Sequence, residues 1–358
     1  MREIEISQRE AGQRLDRFLS KYMPRASSGF LHKMLRKKNI KRNQAKAAGS
    51  DLLEAGDRIQ LYFSEETLEK FLRPHQESEG PRKEGRKKGS RKKHSQAPGR
   101  KGVKLLYRDE DILAFHKPSG MLSQKADPRD DSLNDYLIDY CLDQGILTRE
   151  DLYTFRPSVA NRLDRNTSGI VLCGISVRGL QTLSRLLKNR NLGKFYLCPV
   201  KGEMHSTGRL TGYMSKDKKS NRVIWSRENE TGAAAVETEY RVLDSSPEVS
   251  LLEIHLITGK SHQIRSHLAS IGHPVLGDYK YGDRPFNDRL KAKYGLSHQL
   301  LHCWRVHMPD GLLKWARRLF GLRCTLIRVI MAQSMSKKGH RMFISRESEY
   351  EKMHVLRT

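Results

Sequence analysis

A basic, low-complexity segment divides the chain and limits how it can fold. Residues 64–104 contain PRKEGRKKGSRKKHSQAPGRKG, which is rich in Lys, Arg and Gly and nearly free of apolar residues. Such a segment cannot bury enough surface to offset the conformational entropy lost on folding. The sequence therefore predicts a disordered linker between two folded parts, residues 1–63 and 105–313, and a separate basic tail at 314–358.

The net charge indicates a polyanionic partner. The chain has 358 residues and a formal net charge of +26, which is more than solubility requires. About +9 of it lies in residues 73–104 and about +8 in residues 314–358, so the folded parts are only mildly basic. We expect the linker to bind nucleic acid without sequence specificity and more weakly as salt rises, a plain tether being the alternative.

The cysteines indicate a reducing compartment, and the first residues of the chain bear on whether it is secreted. The five cysteines are scattered and form no CxxC pair, which argues against a disulfide framework. The chain starts MREIEISQRE and is charged from its second residue, which argues against a signal peptide. No stretch approaches the roughly 20 apolar residues of a membrane helix. The sequence therefore predicts a cytoplasmic protein without a membrane segment.

Residues 1–63 are expected to form a small α/β module. A short strand at Ile4–Ile6 precedes an amphipathic helix, whose apolar positions are Leu15, Phe18, Leu19, Tyr22 and Met23. A second such helix begins near Phe30, and a strand is predicted at Arg58–Phe63. Basic residues on the second helix and the following loop lack acidic partners four positions on, which favours a phosphate-contacting face over a solvated one. They are Arg25, Lys33, Arg36, Lys37, Lys38, Lys41 and Arg42.

Residues 105–313 mix hairpins with isolated helices. The stretches LLYRDEDILAFHKPSG and VETEYRVLDSSPEVSLLEIHL each predict two strands joined by a turn, and KFYLCPV predicts another strand. The stretches LNDYLIDYCLDQG, LQTLSRLLKNRN and SHQIRSHLASIG predict helices, the last with Ser261 as N-cap and Gly272 in the C′ position. This mixture predicts an α+β fold built on a mainly antiparallel mixed sheet.

The tetrapeptide RLDR occurs twice, in different surroundings. Asp16 in the first copy lies off the apolar stripe, in the first turn of a helix, where a carboxylate complements the helix dipole. Asp164 in the second copy is followed by the turn formers Asn166 to Gly169 and then by a buried strand, Ile170–Cys173. Asp164 is therefore expected on a loop at a sheet edge, where catalytic groups are often presented. A turn residue or a surface ion pair is the alternative.

Two groups of residues look like familiar motifs but do not meet the requirements of those motifs. Gly259-Lys260-Ser261 looks like the end of a phosphate-binding loop, but that motif needs a glycine where Ile254 stands. A second group has side chains that bind zinc, yet its spacing matches no standard site and the local pattern predicts a strand. Its members are His298, His302, Cys303 and His307. We therefore expect no metal.

The helix that follows Ser261 carries a candidate cation. Its predicted apolar face is Ile264, His267, Leu268 and Ile271, so His267 is expected to be a packed, hydrogen-bonded histidine, whereas Gln263 and Arg265 point elsewhere. Arg265 lies near the helix start and is available to a carboxylate or phosphate. If it meets Asp164, the attraction is about 4 kcal/mol at a separation of about 4 Å and an effective dielectric near 20, before desolvation. Such a pair would keep the carboxylate ionised.

Three segments resemble the motifs of the RluA-type pseudouridine synthases. NRLDRNTSG, at 161–169, resembles the HRLD-x-x-TSG signature that holds the catalytic aspartate of the family. GKFYLCPV, from residue 193, resembles the segment with a base-stacking tyrosine, and residues 258–282 resemble the T-G-R-T-H-Q-I-R-x-H segment, whose arginine pairs with the aspartate. Residues 1–63 resemble the RNA-binding module shared by some of these synthases and a small-subunit ribosomal protein.

This resemblance implies an enzyme that isomerises uridine in RNA to pseudouridine without a cofactor or a metal. Asp164 would act at the sugar–base junction, Tyr196 would stack on the uracil, and Arg265 would hold Asp164 charged. Arg162 would fill the gap left by the flipped base. Further RNA contacts are expected from Arg165, Lys260, His262 and Gln263. Large-subunit ribosomal RNA is the expected substrate, transfer RNA is the alternative, and the protein is expected to be a monomer.

Two departures from the family pattern stand out. Asn161 replaces the usual histidine, and because it is not the nucleophile we expect altered RNA contacts and retained activity. The tail from Lys314 lacks the proline-punctuated ending of the family, so it is either an extension or the product of a reading-frame change. Other functions also stay open: an RNA-binding or ribosome-assembly factor without catalysis, and a hydrolytic enzyme using Asp164. The residues do not choose between a nucleophilic and an elimination route.

Overall fold

The computed structural model describes residues 1–72, 100–217, 222–229 and 231–309. The central part of the basic linker and the whole tail from Lys314, with Cys324, lie outside the described residues, together with the predictions made for them. Within the described residues, no helix is long and apolar enough to cross a bilayer.

The chain divides into two compact units, which are described separately. Among the described residues, the first unit contains residues 1–194 and 303–309, and the second contains residues 195–302. Asp164 thus belongs to the first unit, and Tyr196 and Arg265 belong to the second.

The N-terminal module of the first unit combines two helices with a small sheet. The helices are α1 (Leu15–Tyr22) and α2 (Ser28–Arg36), and the strands are β1 (Arg2–Glu5), β2 (Ile40–Arg42), β3 (Ala45–Lys46) and β4 (Arg58–Leu61). The sheet has the order β1-β4-β2-β3. The apolar stripe predicted for α1 is buried at Leu15, Phe18 and Leu19, and Ser27 caps α2 by accepting a hydrogen bond from the backbone N–H of Phe30. Both predicted helices are confirmed.

The predicted linker begins later than residue 64. Helix α3 spans Glu65–Leu72, so the prediction of disorder is wrong for this stretch. Leu68 is buried in the core of the module, and Phe71 and Leu72 pack against the same core. These positions have the i, i+3, i+4 spacing of an amphipathic helix, which attaches the start of the segment to the module.

The module contacts the remainder of the first unit directly. The backbone N–H of Val177 donates to the carbonyl of Arg9 at 2.9 Å. The Gln181 side chain donates to the carbonyl of Gly12 at 2.9 Å. The Thr154 hydroxyl donates to the buried carboxylate of Glu10. The module is therefore held by hydrogen bonds in addition to its covalent connection.

The elements after the linker follow in chain order. They are β5 (Lys104–Arg108), β6 (Ile112–Lys117), α4 (Leu133–Asp143), α5 (Asp151–Thr154), β7 (Ser158–Val159), β8 (Ser168–Gly174), α6 (Val177–Lys188), β9 (Gly193–Lys201), β10 (Gly208–Asp217), β11 (Arg222–Ser226), β12 (Ala234–Ser245), β13 (Val249–Leu256), α7 (Gln263–Ser270), α8 (Arg284–Tyr294) and β14 (His302–His307). Helices packed on sheets of mainly antiparallel strands confirm the predicted α+β class.

The central strands of the first unit bury the apolar run that follows Asp164. The strand order is β14-β8-β6-β5, and the short β7 also pairs with β8. Strands β6 and β8 are antiparallel, with Phe115 opposite Val171, and both side chains are fully buried. Tyr136 and Tyr140 of α4 pack edge-on against the Phe115 ring. The turn that contains Asp164 therefore leads directly into a rigid central strand.

The second unit contains an antiparallel sheet of order β11-β10-β12-β13-β9. The hairpin predicted from residue 236 is confirmed as β12 and β13. Helix α8 was not predicted; Asp283 caps its first turn, and Phe286 and Leu290 pack in an apolar cluster with Leu276.

Helix α7 begins differently from the expectation. Its N-cap is His262 and the predicted Ser261 cap is wrong. His262 has a left-handed backbone with φ of 56°, and its side chain makes no capping bond. Its ring bonds instead to the Tyr281 hydroxyl at 2.8 Å. Gly272 follows the C-cap residue Ile271 with φ of 82°, as predicted for the C′ position.

Candidate active site

The turn around Asp164 is fixed through its backbone. The carbonyls of Leu163 and Asn166 accept hydrogen bonds from the hydroxyls of Ser123 and Ser119, at 2.9 and 2.7 Å. The Asp164 carbonyl accepts from the backbone N–H of Thr167 at 3.0 Å. The Arg165 carbonyl accepts from the N–H of Gly120 at 2.9 Å. Four consecutive carbonyls are therefore engaged, and the half-buried Asp164 side chain extends from a turn with a fixed backbone.

Lys117 is a further anchor of this turn. Its side chain is fully buried, and its Nζ donates to the carbonyls of Pro118, Met121 and Arg165 at 3.1, 2.6 and 3.0 Å. Burial lowers the pKa of Lys117 to about 7; the nearby Asp164 carboxylate opposes that shift and Arg165 adds to it. The lysine thus ties the end of β6 to the turn that carries Asp164.

Asn161 has a structural place in the same segment. It is buried, its side-chain oxygen accepts from the backbone N–H of Leu172 at 2.8 Å, and its amide donates to the carbonyl of Ile170 at 3.2 Å. The side chain thereby extends the pairing between β7 and β8 beyond the last residue of β7. An effect of Asn161 on RNA contacts was predicted from the sequence, but its hydrogen bonds face strand β8.

Asp16, the aspartate of the first RLDR copy, lies in the first turn of α1 as expected. Its carboxylate accepts from the Arg14 guanidinium at 2.5 and 3.2 Å, and the Arg14 side chain is half exposed. The interpretation as a helix-start residue is confirmed.

In the second unit, Tyr196 lies on β9. It is paired with Ile254 of β13 and only 4% exposed. Neighbouring Phe195 stacks on the His255 ring, with centroids 4.5 Å apart, and this ring also bonds to Glu239. Tyr196 is thus held within a paired strand, and its assignment as the base-stacking residue stays a prediction.

Arg265 forms a buried ion pair with Asp278. Its Nε and Nη2 donate to the two carboxylate oxygens of Asp278 at 2.7 and 2.9 Å, and the side chains are 8% and 1% exposed. Burial alone would raise the pKa of Asp278, but the hydrogen bonds and charge of Arg265 hold it below its ordinary value. The role of Asp278 as the partner of Arg265 was not predicted from the sequence. The pairing of Arg265 with Asp164 stays a prediction.

Helix α7 is buried more completely than its sequence pattern indicates. Gln263 was predicted to point away from the apolar face, yet it is 2% exposed and its amide bonds to Thr258, Thr238 and the backbone of Glu237. An RNA contact by Gln263 stays a prediction beside this structural role. His267 is buried as expected and bonds to Thr238 at 2.9 Å, and burial lowers its pKa to about 4.

The other predicted RNA-contacting residues have different environments. Most of them are exposed: Arg25, Lys33, Arg36, Lys37, Lys38, Arg162, Arg165 and Lys260. The Arg165 guanidinium lies 3.7 Å from the Asp130 carboxylate. Arg42 is less accessible because its guanidinium pairs with the buried Asp57 at 2.7 Å. Lys41 lies over the ring of exposed Tyr62, 5.1 Å from its centroid. The exposed basic residues are compatible with phosphate contacts, which stay a prediction.

Comparison with known proteins shows which family the central part of the chain resembles. Residues 111–270 match the model of the RNA pseudouridylate synthase family. That range contains the Asp164 turn, Tyr196 and Arg265.

Individual relatives extend the match beyond this domain. The chain is 32% identical over 211 residues to ribosomal large subunit pseudouridine synthase D of Borreliella burgdorferi, covering 58% of this chain and 62% of that protein. It is 27% identical over 315 residues to ribosomal large subunit pseudouridine synthase C of Vibrio vulnificus, covering 85% and 87%. Among solved structures, human RNA pseudouridylate synthase domain containing 4 matches with a TM-score of 0.47 at 22% identity, covering 57% of this chain and 84% of that one.

Proposed function

We propose that this chain isomerises specific uridines to pseudouridine in RNA, with Asp164, Tyr196 and Arg265 as its catalytic residues. In this reaction the uracil leaves its sugar, rotates, and reattaches through ring carbon 5. Atoms and oxidation state are conserved between substrate and product.

The observation that carries the proposal is the anchored turn of Asp164. Catalysis by a carboxylate requires its placement at the sugar–base junction, and a displacement of about 1 Å can cost about 100-fold in rate. Bonds from Ser119, Gly120 and Ser123, with those from Lys117, fix the carbonyls on both sides of Asp164. An anchored turn of this kind is what a carboxylate that must stay at the sugar–base junction requires.

The carboxylate of Asp164 acts either as the nucleophile at the sugar or as the base that opens an elimination route. Tyr196 stacks on the uracil and accepts the proton that leaves carbon 5. Arg265 pairs with the Asp164 carboxylate and orients it. These three roles come from the motif resemblance, and each has a variant that tests it: Asp164→Asn, Tyr196→Phe and Arg265→Lys.

The target uridine must be flipped out of its stack, at a cost of a few kcal/mol. Stacking on an aromatic ring, worth about 1–3 kcal/mol, offsets part of that cost. We assign Arg162 to the gap left by the base, because it adjoins the Asp164 turn and its side chain is exposed. The exposed basic residues of α2 contact phosphates elsewhere on the RNA.

Ribosomal RNA of the large subunit is the substrate we propose. The relatives named above are ribosomal large subunit synthases, and the match to the Vibrio vulnificus protein covers 85% of this chain and 87% of that protein. Transfer RNA is the alternative. We further propose that the protein acts as a monomer in the cytoplasm.

The test is pseudouridine formation in total RNA, mapped by position, with wild type and with Asp164→Asn. Product in large-subunit ribosomal RNA with wild type alone is the expected result, and it would identify the target. A folded, RNA-binding wild type without product would favour the alternative of a ribosome-assembly factor that lacks catalysis. Product in transfer RNA would correct the substrate and leave the reaction standing.

A further inference from the structure

We propose that Asp278 is a positioning residue for the isomerisation: it fixes the place and orientation of the Arg265 guanidinium. This inference rests on the proposed function, because it concerns how Arg265 is held for the reaction. Neither the sequence motifs nor the comparisons assign a role to Asp278.

The contacts with Asp278 fix both the position and the orientation of the Arg265 guanidinium. Nε and Nη2 are the two donors on one edge of the planar group, and they meet the two carboxylate oxygens of Asp278 at 2.7 and 2.9 Å. A bidentate arrangement of this kind sets orientation as well as distance. The ring of Tyr281 lies 5.2 Å from the guanidinium carbon and further limits its movement. Arg265 thus presents its Nη1 side in a defined direction.

Asp278 is itself immobilised. Its Oδ1 also accepts from the backbone N–H groups of Lys280 and Tyr281, at 2.9 and 3.2 Å. Its carbonyl accepts from the Asn287 amide at 3.0 Å and from the N–H of Gly282 at 2.9 Å. A group that is held at its side chain and its backbone can serve as a fixed reference for its partner.

The glycines on either side show how closely the chain packs around Asp278. Gly277 has φ of 76°, and a Cβ there would lie 2.3 Å from the carbonyl oxygen of His298. A Cβ on Gly282 would lie 2.3 Å from the carbonyl oxygen of Asp278 itself. Any side chain at these two positions would displace the backbone that carries the carboxylate.

The burial of the pair argues for a role beyond stability. Replacing a buried ion pair by apolar residues of similar volume is often neutral or stabilising, because desolvation opposes the attraction. Arg241 and Glu253 of the same unit form a pair at 2.9 Å in which the arginine is half exposed, so an ion pair on this sheet does not require burial of both partners. Burying an arginine on α7 makes physical sense if a cation is required at that place.

The experiment compares kcat and KM of wild type, Asp278→Asn and Asp283→Asn on the RNA that wild type modifies. Asp283→Asn is the matched control. Asp283 lies five residues after Asp278, and its carboxylate pairs with Lys201. Asparagine at this position still caps α8. We expect Asp278→Asn to lower kcat by about 100-fold with KM within threefold of wild type, because orientation and not RNA affinity is lost. Asp283→Asn should retain wild-type kcat.

A double variant tests whether Asp278 acts through Arg265. If it does, Arg265→Lys with Asp278→Asn will be no more than threefold slower than Arg265→Lys alone, since the function of the pair is already lost. Multiplication of the two separate losses would overturn the inference. So would wild-type kcat in Asp278→Asn.

Two further measurements distinguish a failure of this inference from misfolding of a variant and from a failure of the proposed function. Thermal unfolding checks each variant, and if Asp278→Asn does not fold, Asp278→Glu replaces it; this keeps the buried charge, moves the guanidinium, and is expected to lower kcat in the same way. Full activity of Asp278→Glu in that case would overturn the inference. Wild type without product would overturn the proposed function, and this inference with it.

Discussion

The two RLDR copies show how the same four residues acquire different properties from the segments that contact them. In the first copy, Asp16 belongs to helix α1, and its carboxylate pairs with the half-exposed Arg14. In the second, Asp164 belongs to a turn whose carbonyls are bonded to residues 40 and 47 positions earlier in the chain. The difference teaches that the segments around the shared tetrapeptide, a helix in one copy and an anchored turn in the other, decide how the aspartate is presented.

Apart from replacement of the aspartates themselves, the largest expected effect comes from removing the buried Lys117 side chain that anchors the Asp164 turn. Lys117→Met keeps the length and apolar body of the side chain but removes the donor to three carbonyls. We expect turnover to fall about 100-fold because the Asp164 turn loses its fixed position. Lys21→Met in helix α1 of the first copy is the control, and its turnover should stay within about threefold of wild type. Equal turnover in both variants would show that Lys117 is not needed to hold the Asp164 turn in place.

The second effect concerns Ser123. Its hydroxyl donates to the Leu163 carbonyl and accepts from the Leu163 N–H, each at 2.9 Å, and both groups are buried. Ser123→Ala leaves them unsatisfied, so we expect a loss of about 1–3 kcal/mol in the free energy of unfolding. Ser20→Ala, in the helix α1 that carries the first copy, removes an exposed bond to the Asp16 carbonyl and should cost less than about 0.5 kcal/mol. Chemical denaturation measures both, and a larger loss at Ser20 would contradict the comparison.

The pH dependence of stability provides the third effect. Burial lowers the pKa of Lys117 to about 7, below its unfolded value, so the folded state disfavours the charged form. Between about pH 7 and pH 10 only the unfolded chain binds this proton, and stability therefore rises with pH. The free energy of unfolding of wild type, minus that of Lys117→Met, should increase by about 2 kcal/mol from pH 7 to pH 9. A difference that stays constant over this range would show that Lys117 titrates normally.

The smallest effect is expected at the ion pair of the first copy. Arg14→Ala removes the partner of Asp16, and exposed pairs contribute about 0–1 kcal/mol. Turnover should be unchanged, and the small loss of stability should disappear at high salt. A salt-independent loss of several kcal/mol would mean that this pair resembles the buried contacts of the second copy.

Local patterns were sufficient where neighbours in sequence decide the structure. The apolar spacing of Leu15, Phe18 and Leu19 predicted α1, and turn residues followed by an apolar run predicted the entry into β8. Tertiary contacts decided the rest. Lys117 occurs in the segment HKPSG, where a lysine would ordinarily be solvated, and its burial depends on carbonyls up to 48 positions away.

Two other features were missed for related reasons. Asp278 reads as a turn residue in GDYKYG, and only the fold brings it to Arg265, 13 positions earlier. Helix α3 was hidden because the composition of residues 64–104 was averaged over the whole segment; Leu68, Phe71 and Leu72 were the local signal.

The most direct test of the account is the single-turnover rate of pseudouridine formation for Asp16→Asn and Asp164→Asn on the RNA that wild type modifies. Both variants make the same chemical change within the same four-residue sequence. The expected result is a rate within about threefold of wild type for Asp16→Asn and a loss of at least about 1,000-fold for Asp164→Asn. Equal rates for the two variants, or a greater loss for Asp16→Asn, would contradict the assignment of the chemistry to the anchored turn.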